Sequence, residues 1–247
     1  MLRQLILCSA LLVPCLCAPT PARAGPNDYI RLPTVVHGER ELDYKTGFAR
    51  HRDGSSDAAQ SLGYGFTPTP WWFTELYAKT ARNGAEPSAF DAWEWENRFQ
   101  LTESGRYPVL LGMLLEIERP RDRREGYEIT VGPMMQSEWG AVQGNLNLFL
   151  RRHLRAEEAF DTELLVQMQL KYRQARAFEW GLQGFGNTGP WRHALPGSRQ
   201  DARLGPAIFG KLRAAPGQAI GWNAALLEGL NRASPRTTLR LQAEYEF

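Results

Sequence analysis

The 247-residue chain is short of the residues that usually carry chemistry or cross-link an exported fold. Its three cysteines, Cys8, Cys15 and Cys17, all precede residue 18, so from residue 25 onward neither a disulfide nor a thiolate site can form. Four histidines, His37, His51, His153 and His193, are scattered along the sequence. None has a serine two residues later, the spacing that would set His and Ser on one face of a strand. Past the first 24 residues no apolar run of about 18 residues occurs, which excludes a membrane-spanning helix. Charge of one sign is missing as well. Of 29 basic residues, Arg3 and Arg23 lie in the N-terminal stretch, which leaves 27 against 27 acidic ones; that balance argues against a nucleic-acid partner. No Walker pattern occurs, and Met134 and Met135, being adjacent, point to opposite faces of a strand. The expectation is therefore no cofactor and no metal.

What is present begins with MLRQLILCSALLVPCLCAPTPARA, in which Arg3 precedes an apolar run from Leu5 to Leu16 and the small-residue site Ala22-Arg23-Ala24 precedes Gly25. This is the pattern of a cleavable secretory signal, so residues 1–24 are expected to be removed and residues 25–247 to form a single domain. Pro14 before Cys15 and Leu16 before Cys17 speak against a lipid-modified signal.

The remaining chain repeats one local pattern. About twelve segments of roughly ten residues alternate apolar and polar with period two, separated by turn signals. In FDAWEWENRFQL, Trp93, Trp95, Asn97, Phe99 and Leu101 alternate with Glu94, Glu96, Arg98 and Gln100. In ELLVQMQLKYRQ, Leu164, Val166, Met168, Leu170 and Tyr172 alternate with Gln167, Gln169, Lys171 and Arg173. Only NAALLEGLN has spacing that also suits a helix. Strands of soluble sandwiches are commonly five or six residues long; about ten is the length that crosses a bilayer at a tilt. Trp71, Trp72, Trp93, Trp95, Tyr107, Tyr127, Trp139, Tyr172, Trp180, Trp222, Tyr245 and Phe247 tend to sit near strand ends or turns, as interfacial aromatic belts require. The fold class expected is all-β, a single antiparallel transmembrane β-barrel of about 12 strands, with 10 or 14 as alternatives.

The last segment, TTLRLQAEYEF, ends on Phe247, with Tyr245 two residues earlier and apolar residues at every second position before it. It resembles the C-terminal signature strand of bacterial outer-membrane β-barrel proteins. The resemblance implies that Tyr245 and Phe247 serve as an assembly signal for the barrel assembly machinery, that membrane lipid surrounds the wall, and that the protein resides in the outer membrane of a Gram-negative cell. WEWENRFQLTESGRY is similar to uncharacterised transporter-like proteobacterial barrels. In such barrels both termini and the short turns are periplasmic and the longer loops external, which places TPTP, TESGRYP, SEWGA, the turn near Ala175 and AAPG in the periplasm and the loop at 187–201 outside.

Charges on the lipid face of a barrel cost several kcal/mol near the midplane, so the charged face of each strand is expected to line the lumen. That set comprises Lys45, Glu75, Glu94, Glu96, Arg98, Glu116, Glu118, Gln167, Gln169, Lys171, Arg173, Arg203, Arg240 and Glu244. Acidic residues gather in the fourth and fifth segments and basic ones in the eighth, tenth and twelfth, which would set a transverse field across a pore. The expected function is a porin-like channel or transporter for small polar or charged solutes. The alternatives are a plugged structural or loop-binding barrel, in which these ions pair across the lumen, and an outer-membrane enzyme with a rim active site around His51 and His153 with Asp53 or Glu157. Glu94 and Glu96 could serve as an acid/base pair, but salt bridges in the lumen are the commoner role for such residues; no enzyme is expected.

Overall fold

The computed structural model describes residues 25–175 and 178–247; residues 1–24, where a signal was expected, lie outside the described residues. Twelve strands follow in chain order: β1 (Arg40–Arg50), β2 (Ser56–Thr69), β3 (Trp72–Arg82), β4 (Ala89–Gln100), β5 (Val109–Pro120), β6 (Tyr127–Trp139), β7 (Val142–Leu154), β8 (Glu163–Ala175), β9 (Phe178–Pro190), β10 (Asp201–Ala215), β11 (Gln218–Gly229) and β12 (Thr237–Glu246). Each pairs antiparallel with its sequence neighbours, and β1 pairs with β12 from Glu41 opposite Glu246 to Arg50 opposite Thr237, so the sheet closes into a barrel. Closure leaves no unpaired edge, the condition for placing a sheet in hydrocarbon. Beside the β12–β1 seam, Phe247 and Arg40 exchange backbone hydrogen bonds of 2.9 and 3.2 Å, and the Tyr245 and Phe247 rings stack at 5.5 Å.

Period two decides which way each side chain points. On β1, Leu42, Tyr44 and Phe48 are exposed on the outside while Glu41, Asp43, Lys45 and Ala49 are buried inside. The same reversal of a soluble protein holds round the ring: Trp93, Trp95, Leu146, Met168, Leu182, Ile208 and Leu239 face outward. An exposed apolar wall of this extent needs hydrocarbon against it. Aromatic residues rim the wall at the end where Trp71 stacks on Phe99 and Tyr172 lies against Trp180. There the turns at residues 70–71, 140–141 and 216–217 hold two residues each, with Gly140 and Gly217 at φ of 59° and 76° supplying the left-handed backbone such turns demand. Longer loops join the strands at the opposite end.

Three local expectations change. NAALLEGLN belongs to β11, because pairing on both sides outweighs its ambiguous spacing. TPTP does not break β2, which runs through it to Thr69 with a register shift between Phe66 and Thr69 that admits the prolines. The loop assigned to 187–201 spans 191–200, because Asn187 and Pro190 still pair with β8.

Candidate functional site: the barrel lumen and the segment that crosses it

Register places like charges side by side on the inner wall. Glu75 on β3 stands opposite Glu96 on β4, and Glu96 stands opposite Glu116 on β5. One step along the barrel, Glu94 stands opposite Glu118, and Glu118 opposite Glu128 of β6. Directly opposed like charges destabilise a sheet, and burial raises the cost, so cations must be supplied. Lys79 reaches Glu94 at 2.8 Å and Glu118 at 2.5 Å. Arg98 lies 3.2 Å from Glu96 and 3.4 Å from Glu41. Arg151 and His153 approach Glu128 at 3.7 and 3.1 Å.

The remaining cation comes from residues before β1. Residues 25–35 run inside the barrel, and Arg31 projects among Glu94, Glu96 and Glu116: its Nε lies 3.0 Å from Glu96, one terminal nitrogen bonds Glu116, and Glu94 is 3.9 Å away. The Tyr29 hydroxyl donates to Glu96, and Lys45 sits 3.1 Å above the Tyr29 ring. The carboxylate oxygens of Glu94, Glu96 and Glu116 lie within 4.8 Å of one another, an arrangement with the donors for a cation, and the cation present is the Arg31 guanidinium.

The wall across the lumen satisfies itself differently. Asn145 accepts from Gln169 at 3.1 Å, Gln169 from Gln183 at 2.7 Å, and Gln183 from Arg240 at 2.6 Å. Arg240 also donates to Asn223, which donates to Gln242, which donates to Asp43. Arg203 pairs with Asp28 of the crossing segment at 3.2 Å and with Asp201 at 3.5 Å. Between these polar groups, Phe185, Ala207, Phe209, Ala225 and Leu227 form an apolar patch on which Ile30 packs.

Of the residues expected to face the lumen, Lys45, Glu75, Glu94, Glu96, Glu116, Gln167, Gln169, Arg203 and Arg240 are buried inside the barrel. Arg98, Glu118, Lys171 and Glu244 are half-buried on the same wall, and Arg173 is exposed at the short-turn rim, 2.5 Å from Glu138. Lys171 pairs with Glu179 at 3.2 Å, and Gln167 bonds Asn147 and the backbone of Arg31. The two rim histidines line the same loop-end cavity but take separate partners: His51 pairs with Asp57 at 2.6 Å, while His153 pairs with Glu128 and stacks on Phe160. Outside the strands, Asp122 in the loop after β5 is held down to about 2 by hydrogen bonds from the Arg124 side chain and backbone.

Periodicity could not reveal residues 25–39, because they form no strand and make no ladder. Nor did it flag Phe73, Tyr77, Leu114, Met134 and Phe149, which point inward and are fully buried; an apolar residue facing a lumen has the same spacing as a polar one. The signal available was Asp28 and Arg31, two opposite charges in a stretch that joins the first strand to the residues before it.

The lumen is divided. One cavity of about 700 Å³, toward the long loops, is lined by Asp28, Arg31, Lys79, Glu118, Glu128 and Arg151 among others. A second of about 800 Å³, toward the short turns, is lined by Tyr29, Ile30, Glu75, Arg98, Lys171 and Glu244 among others. Residues 28–32 contribute to both linings and stand between them.

No family model matches the chain, and no curated protein matches it in sequence. Solved structures match its fold. The COG4313 outer membrane channel from Pseudomonas putida F1 superposes with a TM-score of 0.59 at 10% identity, over 91% of this chain and 99% of that one. The NanC porin gives 0.56 at 9% identity, over 83% and 98%, and the KdgM porin 0.55 at 8% identity, over 84% and 99%. The chain therefore has the fold of outer-membrane β-barrel porins and channels.

Proposed function

We propose that this barrel is a channel of the bacterial outer membrane for small polar or charged solutes, and that residues 1–24 are removed on export so that Gly25 becomes the first residue. The observation that carries the reading is the interior: two cavities of about 700 and 800 Å³ inside a wall that is apolar outside and bears carboxylates on one side and guanidinium and amide groups on the other. Opposed walls of this kind discriminate among solutes by charge. Likeness in fold to porins supports the reading without naming a solute. Because residues 28–32 stand at the waist, passage requires them to move.

The same crossing segment favours a second reading, a closed barrel whose work is done by its long-end loops, with Trp191 half exposed at the start of the longest. Single-channel recording of the refolded protein in planar bilayers under a salt gradient separates the two. The channel reading expects stepwise conductance, more frequent in Arg31→Ala, with a reversal potential that moves away from cation preference in Glu94→Gln plus Glu96→Gln. A folded barrel silent at every voltage, in the wild type and in Arg31→Ala alike, would leave the closed barrel standing. We also assign the terminal Tyr245–Phe247 ring pair as the signal read by the barrel assembly machinery. Deleting Phe247 is expected to reduce the barrel assembled in cells severalfold while refolding in detergent proceeds normally; equal loss in both would make the residue merely structural.

A further inference from the structure

The crossing segment is held in a manner that does not depend on its being part of this chain. Its main chain is read by amide side chains: the Arg31 N–H donates to Gln167 at 3.4 Å, the Arg31 carbonyl accepts from Asn147 at 2.9 Å, and the Val35 N–H donates to Gln100 at 2.8 Å. Asn147 also donates to Gln167 at 3.0 Å, so the two readers retain a partner when the segment leaves. Such contacts are blind to sequence. The wall is also cut back to admit a main chain. A β-carbon at Gly47 would run into the carbonyl of Pro26, and one at Gly112 would press on Pro33.

Side chains are sorted along the same stretch. Asp28 meets Arg203, Ile30 enters the patch of Phe185, Ala207 and Phe209, and Arg31 enters the three-carboxylate cage with the Phe149 ring 5.9 Å from its guanidinium. An acid, an apolar residue and an arginine, at fixed intervals along an extended backbone, each meet a matching surface. Cavities adjoin both ends of this seat.

From this geometry we infer that the waist of the lumen is a binding site for extended, arginine-bearing peptides, occupied in this structure by the chain's own residues 28–32. The inference rests on the channel reading and names its solute class. The segment is then a tethered competitor: it closes the lumen until a peptide of like chemistry displaces it. The cage would discriminate by charge, since removing the guanidinium takes the cation from buried Glu116 and leaves Glu94 and Glu96 to Lys79 and Arg98 alone, whereas the amide readers would accept any peptide backbone.

The test is calorimetry on the refolded full chain in detergent micelles, with the probe acetyl-Asp-Tyr-Ile-Arg-Leu-amide and a control in which citrulline, neutral and of the same shape, replaces arginine. Gly47→Val displaces Pro26 without touching a charged residue. Arg31→Ala vacates the cage without altering the wall and serves should the first variant refold poorly. The expected result is saturable binding in either variant, at least tenfold tighter than in the wild type, at least tenfold tighter for the arginine peptide than for the citrulline peptide, and lost on adding Glu96→Gln and Glu116→Gln. Absence of saturable binding in a variant whose β-sheet circular dichroism matches the wild type would overturn the inference, as would equal affinity for both peptides. Binding without conductance in any variant would uphold the site and remove the channel. Conductance unaffected by a peptide that does not bind would do the reverse.

Discussion

The wall built by β3, β4 and β5 and the wall built by β7 to β12 face one another across a single lumen, yet they are satisfied in opposite ways. The second closes on itself: Arg240 donates to Gln183 and Asn223, and Gln169, Gln183, Asn223 and Gln242 each both give and accept in the chains that run from it to Asn145 and Asp43. The first cannot, because its Glu75–Glu96–Glu116 and Glu94–Glu118–Glu128 rows contain acceptors of one charge. It takes Lys79 from β3 and Arg98 from β4, and then recruits Arg31 from outside the sheet. A row of carboxylates thus fixes where a piece of chain without secondary structure must lie, whereas a row of amides leaves that choice open.

The comparison can be broken by removing the recruited cation. Arg31→Ala is expected to lower unfolding stability in urea by about 3–5 kcal/mol, the usual result of stripping one partner from a buried ion pair, and Glu96→Gln with Glu116→Gln in the same chain should recover most of it. If Arg31→Ala costs no more than a surface change, the acidic wall does not depend on the segment. Cutting the amide ring has a smaller expected effect. Gln169→Leu leaves Asn145 and Gln183 each short of a partner, at about 1–3 kcal/mol, with little change in conductance because the segment stays in place; a large rise in conductance would show that the amide ring itself holds the segment. Asp28→Ala should cost least, about 1 kcal/mol or less, since its side chain is 31% exposed and water can take its place beside Arg203. Salt should mask this last effect while leaving the first.

The barrel was legible in the sequence because alternation in FDAWEWENRFQL or ELLVQMQLKYRQ is a property of neighbouring residues, and a period of two is all that is needed to give each strand an apolar and a polar side. Strand length and the aromatic ends then distinguished an inverted barrel from a sandwich. Boundaries were less legible. Pro68 and Pro70 read as a break, but β2 continues past Pro68 to Thr69, and only Pro70 lies in the turn. The site was legible as a list of faces and not as a set of contacts. Glu94 and Glu96 announce themselves two residues apart, but that Glu116 lies opposite Glu96 follows from register, which the turn at residues 101–108 sets and no pattern states.

The sequence by itself determined the local geometry: strands, their two faces, the apolar exterior and a final strand ending in Tyr245 and Phe247. Only the tertiary structure decided the strand count, the closure of β12 on β1, and the placement of residues 25–35 inside the ring. The physical reason is range. Alternation is written within a few residues, whereas Arg31 finds Glu96 and Glu116 across 65 and 85 positions of chain, because three carboxylates brought together by register are stable only where a cation can reach them.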